Sequence, residues 1–245
     1  MYPVLYKIGN IEIQSYYVLW SIALIIAMLW TNRRTDSSGL PAKEVSSVIT
    51  FSFFGMLLGA RFFEIISNWQ LYYRNPELFF DINRGGISEV GAVVAAVIVA
   101  FVMCRIKNIS FWKFSDTVSP AALITIAIGR WGCYLNGCCG GAGHYTQLYY
   151  SFSAVIVLSI VFMIENYNNR NGIVFKYGIT SPIGVGIYSM SRILIDRFRL
   201  EANTNELIMS NRVLIICAVL SLLWIIFSIK NKSSPVIDTE IDTEK

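Results

Sequence analysis

Residues 121–141 read AALITIAIGRWGCYLNGCCGG. An apolar run, Ala121–Ile128, leads into the stretch 129–141, where five glycines surround Arg130, Asn136 and three thiols, Cys133, Cys138 and Cys139. The run has the character of a helix crossing hydrocarbon, with Arg130 placed where that helix leaves it. A guanidinium at membrane depth is costly unless paired, so Arg130 reads as a functional-site residue. Glycines allow tight turns and close approach of a ligand to the backbone. The alternative reading is a glycine-rich helix end from which Arg130 snorkels to the headgroups.

The chain on either side has the same character. Of its 245 residues, 55% are apolar and 15% charged, against about 25% charged in a soluble domain. Seven apolar stretches approach the roughly 20 residues needed to cross a bilayer. They lie at about Tyr16–Thr31, Ser46–Ile66, Ser88–Cys104, Ser115–Arg130, Tyr149–Glu165, Tyr177–Ile195 and Arg212–Lys230. The expected fold is an all-α integral membrane protein of about seven transmembrane helices. Residues 1–232 form a single transmembrane domain, and the polar tail Ser233–Lys245, ending DTEIDTEK, is expected to be disordered. The first apolar stretch is too long for a signal core and lacks a small-residue cleavage site, so no cleavable signal peptide is expected.

Lys and Arg in alternate loops set the orientation. One side of the expected topology carries ten, among them Arg33, Arg34, Lys43, Lys107 and Lys113; the other carries seven. That bias places the N-terminus outside and the C-terminus in the cytoplasm. The outside cations gather around Arg130 and around Arg192–Arg199, which suggests an anionic ligand at the outer leaflet. Arginine suits bidentate contact with phosphate, and phospholipid headgroups are the phosphates at that depth. Pairing of Arg197 and Arg199 with Asp196 and Glu201 would account for part of the same charge. The net charge of +4 belongs to topology and not to a nucleic-acid surface.

Five cysteines are an odd number, and Cys104 and Cys217 fall in apolar runs, which argues against a disulfide framework. Cys133, Cys138, Cys139 and His144 match no zinc spacing, so no metal is expected.

Six segments in order carry a family resemblance. They are the opening MYPVLYKIGNIEIQSYY with Tyr16; Gly59-Ala60-Arg61-Phe62-Phe63, continued by Asn75-Pro76 and Gly85-Gly86; and Gly129-Arg130-Trp131-Gly132 through Asn136-Gly137. His144-Tyr145-Thr146-Gln147-Leu148-Tyr149 and Arg192-Ile193-Leu194-Ile195-Asp196-Arg197-Phe198-Arg199 follow. Together they resemble the bacterial phosphatidylglycerol–prolipoprotein diacylglyceryl transferases. The departures are Val90 for the histidine of the GG-x-x-x-HGG motif, Cys138 for a glutamate after Asn136-Gly137, and Asp196 for a glutamate. Tyr145 and Tyr150 stand for the proline and glutamate of the HPTQLYE segment.

The resemblance implies a multi-pass enzyme of the bacterial cytoplasmic membrane. It would transfer the diacylglyceryl group of phosphatidylglycerol to the lipobox cysteine of a prolipoprotein, releasing glycerol phosphate, with no cofactor. It makes residues 1–232 the catalytic domain, with phosphatidylglycerol, the lipobox segment and membrane lipids as partners and no nucleic acid. Arg130 and Arg199 are then expected to clamp the phosphate, with Asn136 and Gly137 orienting the headgroup. Glu89, beside the missing histidine, is the candidate proton acceptor, and an interfacial carboxylate at a helix start is its plainer role. Tyr16 is a donor at the start of the first span or an interfacial aromatic. Arg61 binds lipid or pairs with Glu64 three residues on, and His144 moves protons or holds its loop. Loss of the histidine motivates a second reading, a phospholipid-binding paralogue with lost or redirected catalysis. A seven-span transporter with Arg61, Glu64, Glu89 and Arg192 along its pathway is a third.

Overall fold

A computed structural model describes residues 3–8, 11–79, 86, 88–138, 140–141, 144–171, 178–199 and 205–230. A short antiparallel hairpin, β1 (Val4–Ile8) and β2 (Ile11–Gln14), precedes the helices. They are α1 (Ser15–Ser38), α2 (Ala42–Ser67), the short α3 (Trp69–Arg74), α4 (Glu89–Ile106), α5 (Phe111–Asn136), α6 (Thr146–Asn171), α7 (Thr180–Asp196) and α8 (Asn205–Lys230). All of these but α3 and α7 are long and apolar enough to cross a membrane. At 17 residues, α7 is the shortest of the packed helices and is wedged among α5, α6 and α8. The fold is that of an all-α integral membrane protein. The expected tail, 233–245, lies outside the described residues, as do Gly85 and Cys139.

Lipid tails are as apolar as leucine, so helices in a bilayer associate by close packing and polar contact and not by water exclusion. The sequence supplies small residues where this is needed. A Cβ at Gly59 would come within 2.1 Å of Ala95 Cβ, and one at Gly91 within 2.2 Å of Phe63 Cβ, so α2 and α4 pack nearly backbone to backbone. Gly129 lies against the Trp20 ring and Gly132 against the Tyr16 backbone, which seats α5 on α1. The helices thus form two units. α2 pairs with α4, and α1, α5, α6, α7 and α8 form the larger body. The units join at one end through Leu40, Val45, Val48, Ala100, Cys104 and Phe114.

That same end is knit by polar groups. Pro120 lies inside α5 and cannot donate to the carbonyl four residues back. Arg34 donates to the Asp116 carbonyl at 3.3 Å and grips Glu165 with both terminal nitrogens at 2.9 and 2.8 Å. The Asp116 side chain accepts from the Gly178 and Ser181 backbone N–H groups at 2.5 and 2.7 Å. It caps α7, whose own flanking residue, Ile179, has no side chain able to do so. Trp224 donates to Gly178 O at 2.7 Å and stacks on Trp112 at 3.8 Å.

Candidate functional site

At the opposite end, the start of α4, the second half of α5, the start of α6 and the end of α7 converge. Helix α5 runs almost two turns past Arg130, ending at Asn136, with Gly137 at φ 76° as the left-handed stop. Arg130 therefore lies within the helix and not at its end. The i, i+3 glycines 129 and 132 bring this part of α5 onto α1, and the Arg130 side chain is held inside the protein against Glu89.

Glu89, the first residue of α4, is the meeting point. Its two oxygens accept from Arg192 of α7 at 2.7 Å each, a fork-to-fork pair, and Oε1 also accepts from Arg130 at 3.3 Å. Ser88 fixes the helix start by accepting from Gly91 N at 3.4 Å. Below the guanidinium groups lies the fully buried ring of Tyr150, 4.6 Å from Arg130 and 5.9 Å from Arg192. Each such cation–π contact contributes about 0.5–2 kcal/mol. The Tyr150 hydroxyl donates to the buried Asp196 carboxylate. Arg199, just past the end of α7, lies within electrostatic reach of both Glu89 and Tyr150. Three buried polar atoms, Arg192 Nε, Tyr188 OH and Asp196 Oδ2, have no protein partner among the described residues. Buried polar atoms are satisfied as a rule, so a group of them beside three arginines is what a polar ligand site looks like.

The exposures differ within the cluster. The side chains of Arg130 and Arg192 are 10% and 9% exposed, that of Glu89 52%. The cations belong to the interior and the carboxylate to the open face. Such an arrangement can bind an anion bidentately.

The other expected site residues surround this centre or stand apart from it. Asn136 and Gly137 are exposed at the end of α5. Tyr16, half-buried, packs edge-on to Tyr17 and tilts against Trp20, with its backbone against Gly132. His144 is exposed, forms an isolated bridge with Gly141 and rests edge-on against Phe198 at 5.3 Å, which fits holding the loop. Gln147 Nε2 donates to Cys138 O at 2.5 Å and anchors the glycine–cysteine turn to α6. Arg61 is elsewhere. It donates to Gly86 O at 2.6 Å, to Tyr72 OH at 3.2 Å and to the Leu78 and Phe79 carbonyls, holding these residues together. Glu64 accepts from Asn68 at 2.7 Å.

A family model for prolipoprotein diacylglyceryl transferase matches residues 3–230. The chain belongs to the prolipoprotein diacylglyceryl transferase family. Among relatives named phosphatidylglycerol–prolipoprotein diacylglyceryl transferase, that of Listeria innocua is 34% identical over 134 residues, 55% of this chain and 48% of that protein. The chain thus matches about half the length of the Listeria relatives. That of Shouchella clausii is 28% identical over 80% of this chain and 78% of its own. That of Clostridium novyi is 27% identical over 96% and 99%. Against the family motifs noted above, Val90 is buried in α4 beside Glu89, and Tyr150 occupies the expected glutamate position as the floor beneath the arginines. The carboxylate facing those arginines comes instead from Glu89. Sequence reading placed Arg192 in the outer cation group but not in the phosphate clamp, and gave Tyr150 no role. The i, i+4 spacing of Arg192 and Asp196, which puts both on one face of α7 with Arg199 just beyond its end, was the signal available.

Proposed function

We propose that this chain transfers the diacylglyceryl group of phosphatidylglycerol to the thiol of a lipobox cysteine in the bacterial cytoplasmic membrane. Family membership supports the reaction class. The observation that carries the reading is the convergence of Arg130 and Arg192 on one anionic group across three helices, with Arg199 in reach.

Arg130 and Arg192 grip the headgroup phosphate from α5 and α7, and Arg199 adds charge from beyond α7. The thiol sulfur attacks the diacylglycerol carbon bonded to the phosphate oxygen. The C–S bond forms, the C–O bond breaks, and its electron pair leaves on glycerol phosphate as charge builds on the phosphate oxygens. Preorganised guanidinium groups in a water-poor site stabilise that charge. The thiol proton goes to a base, since thiolate is the nucleophile. Asn136 and Gly137 border the headgroup at the end of α5. Tyr16 lies one helix away, on α1, and His144 shapes the loop facing it. Residues 1–232 act as one catalytic domain with the N-terminus outside.

Both Glu89 oxygens are engaged by guanidinium N–H groups, and Val90 stands where the family histidine is expected. These two features favour, as second reading, a paralogue that binds phospholipid without transfer. Purified protein incubated with labelled phosphatidylglycerol and a lipobox peptide yields a thioether-linked product on the first reading and none on the second. Arg130→Ala abolishes the product while membrane levels hold; retained transfer removes the phosphate-clamp role.

A further inference from the structure

We propose that Glu89 is a built-in surrogate of the substrate phosphate, holding Arg130 and Arg192 in binding geometry until a lipid phosphate displaces it. The inference rests on the phosphatidylglycerol reading above and concerns how the same site is kept ready.

The carboxylate meets Arg192 as a phosphate would, one oxygen to each terminal nitrogen at 2.7 Å, with Arg130 on a shared oxygen at 3.3 Å. Without a counter-charge, two buried guanidinium groups from different helices would repel each other and drift apart. The pair is also the part of the contact that stays. Arg130 and Arg192 are nearly buried, backed by Tyr150, whereas Glu89 is half exposed at the tip of α4. Displacement therefore swings out the exposed member and leaves the cations in place.

The backbone arrangement suits that exchange. α4 packs along α2 with glycine-level closeness but touches α5 only sparsely, and the α2–α4 unit is anchored at the far end by the Leu40–Phe114 cluster. At this end, among the described residues, the Glu89 contacts are the only ion pairs tying α4 to α5 and α7. Losing them costs the structure one latch and no packed core. The carboxylate, once released, has free lone pairs, the state in which a proton-accepting role for Glu89 becomes geometrically open. A ligand that must expel a resident competitor binds more weakly by the fraction of time the competitor is in place.

Glu89→Gln removes the charge while keeping the shape. Two probes report on it in purified full-length protein. They are inorganic phosphate, read by thermal unfolding in detergent, and phosphatidylglycerol in phosphatidylcholine nanodiscs, read as binding affinity. Relative to the natural chain, the Gln variant unfolds at lower temperature without anion and gains more from phosphate. It also binds phosphatidylglycerol at least about fivefold more tightly, the low end of coupling between linked sites. Gains from phosphate alone, without tighter lipid binding, assign the pair to free anions and overturn the proposal. An anion response equal to or below the natural chain's overturns it too. If the Gln variant does not accumulate, Glu89→Asp retracts the carboxylate and must still respond more strongly than the natural chain; an equal or weaker response is decisive against. Thioether formation is scored separately. A natural chain that makes product while Gln and natural chain respond alike keeps the transferase reading and loses the surrogate. A natural chain that makes no product, with a stronger Gln response, does the reverse.

Discussion

Tyr150 supports two guanidinium groups with one ring and spends its hydroxyl on Asp196, so a single side chain ties α6 to both α5 and α7. Removing only the hydroxyl, Tyr150→Phe, keeps the ring under the arginines and strands a buried carboxylate oxygen. The expected cost is about 1–3 kcal/mol of stability, measured as a lower unfolding temperature in detergent with transfer retained. Arg192 separates charge from shape. Lysine cannot reproduce a planar fork, so Arg192→Lys should lower kcat/KM on labelled phosphatidylglycerol by roughly 10²-fold, the scale of losing one preorganised donor. A variant with natural turnover would show that charge alone suffices there. What the sequence conveyed at this scale was identity without partnership. Arg130, Glu89 and Arg192 drew notice as charges in apolar surroundings, but the bonds that join Glu89 to Arg130 and to Arg192 span 41 and 103 residues, and no local pattern encodes such pairings.

Among the elements, the long helices were legible because each carries an apolar run of membrane length, and their centres agree with the expected spans. Their ends were not. α1 continues through Arg33 and Arg34 to Ser38, and α5 through Arg130 to Asn136, because Arg34 and Arg130 find carboxylate partners inside the protein. The hairpin was visible in principle: Ile11-Glu12-Ile13-Gln14 alternates strictly after a Gly-Asn pair, a turn-and-strand signature. It is too short to stand out in a search for spans. The α2–α4 pair offers an element-scale test. A side chain at Gly91 would meet Phe63 and the Gly59 carbonyl, so Gly91→Leu should splay the two helices and destabilise by at least about 1–3 kcal/mol. Asp116→Ala uncaps α7 from outside the helix and should cost about 0.5–2 kcal/mol, read by thermal unfolding. An unchanged unfolding temperature would mean that water replaces the carboxylate at Gly178 and Ser181.

For the molecule as a whole, the two ends divide the labour. One is closed by Arg34, Glu165, Asp116 and the Trp112–Trp224 stack; the other presents a carboxylate over buried cations. On the Lys and Arg bias, we propose that the closed end faces the cytoplasm. A fluorescent protein fused after Lys245 should therefore fold and emit in cells, whereas a fusion exported to the outside would stay dark and reverse the assignment.

The cation pair draws on α5 and α7, its counter-ion on α4 and its aromatic floor on α6, while Trp224 of α8 bonds the loop at which α7 begins. No ribosome-bound fragment that ends before α7 holds the complete cluster. Of these groups, only Glu89, made earlier in the chain, is on hand as a carboxylate partner for Arg130 until Arg192 is made.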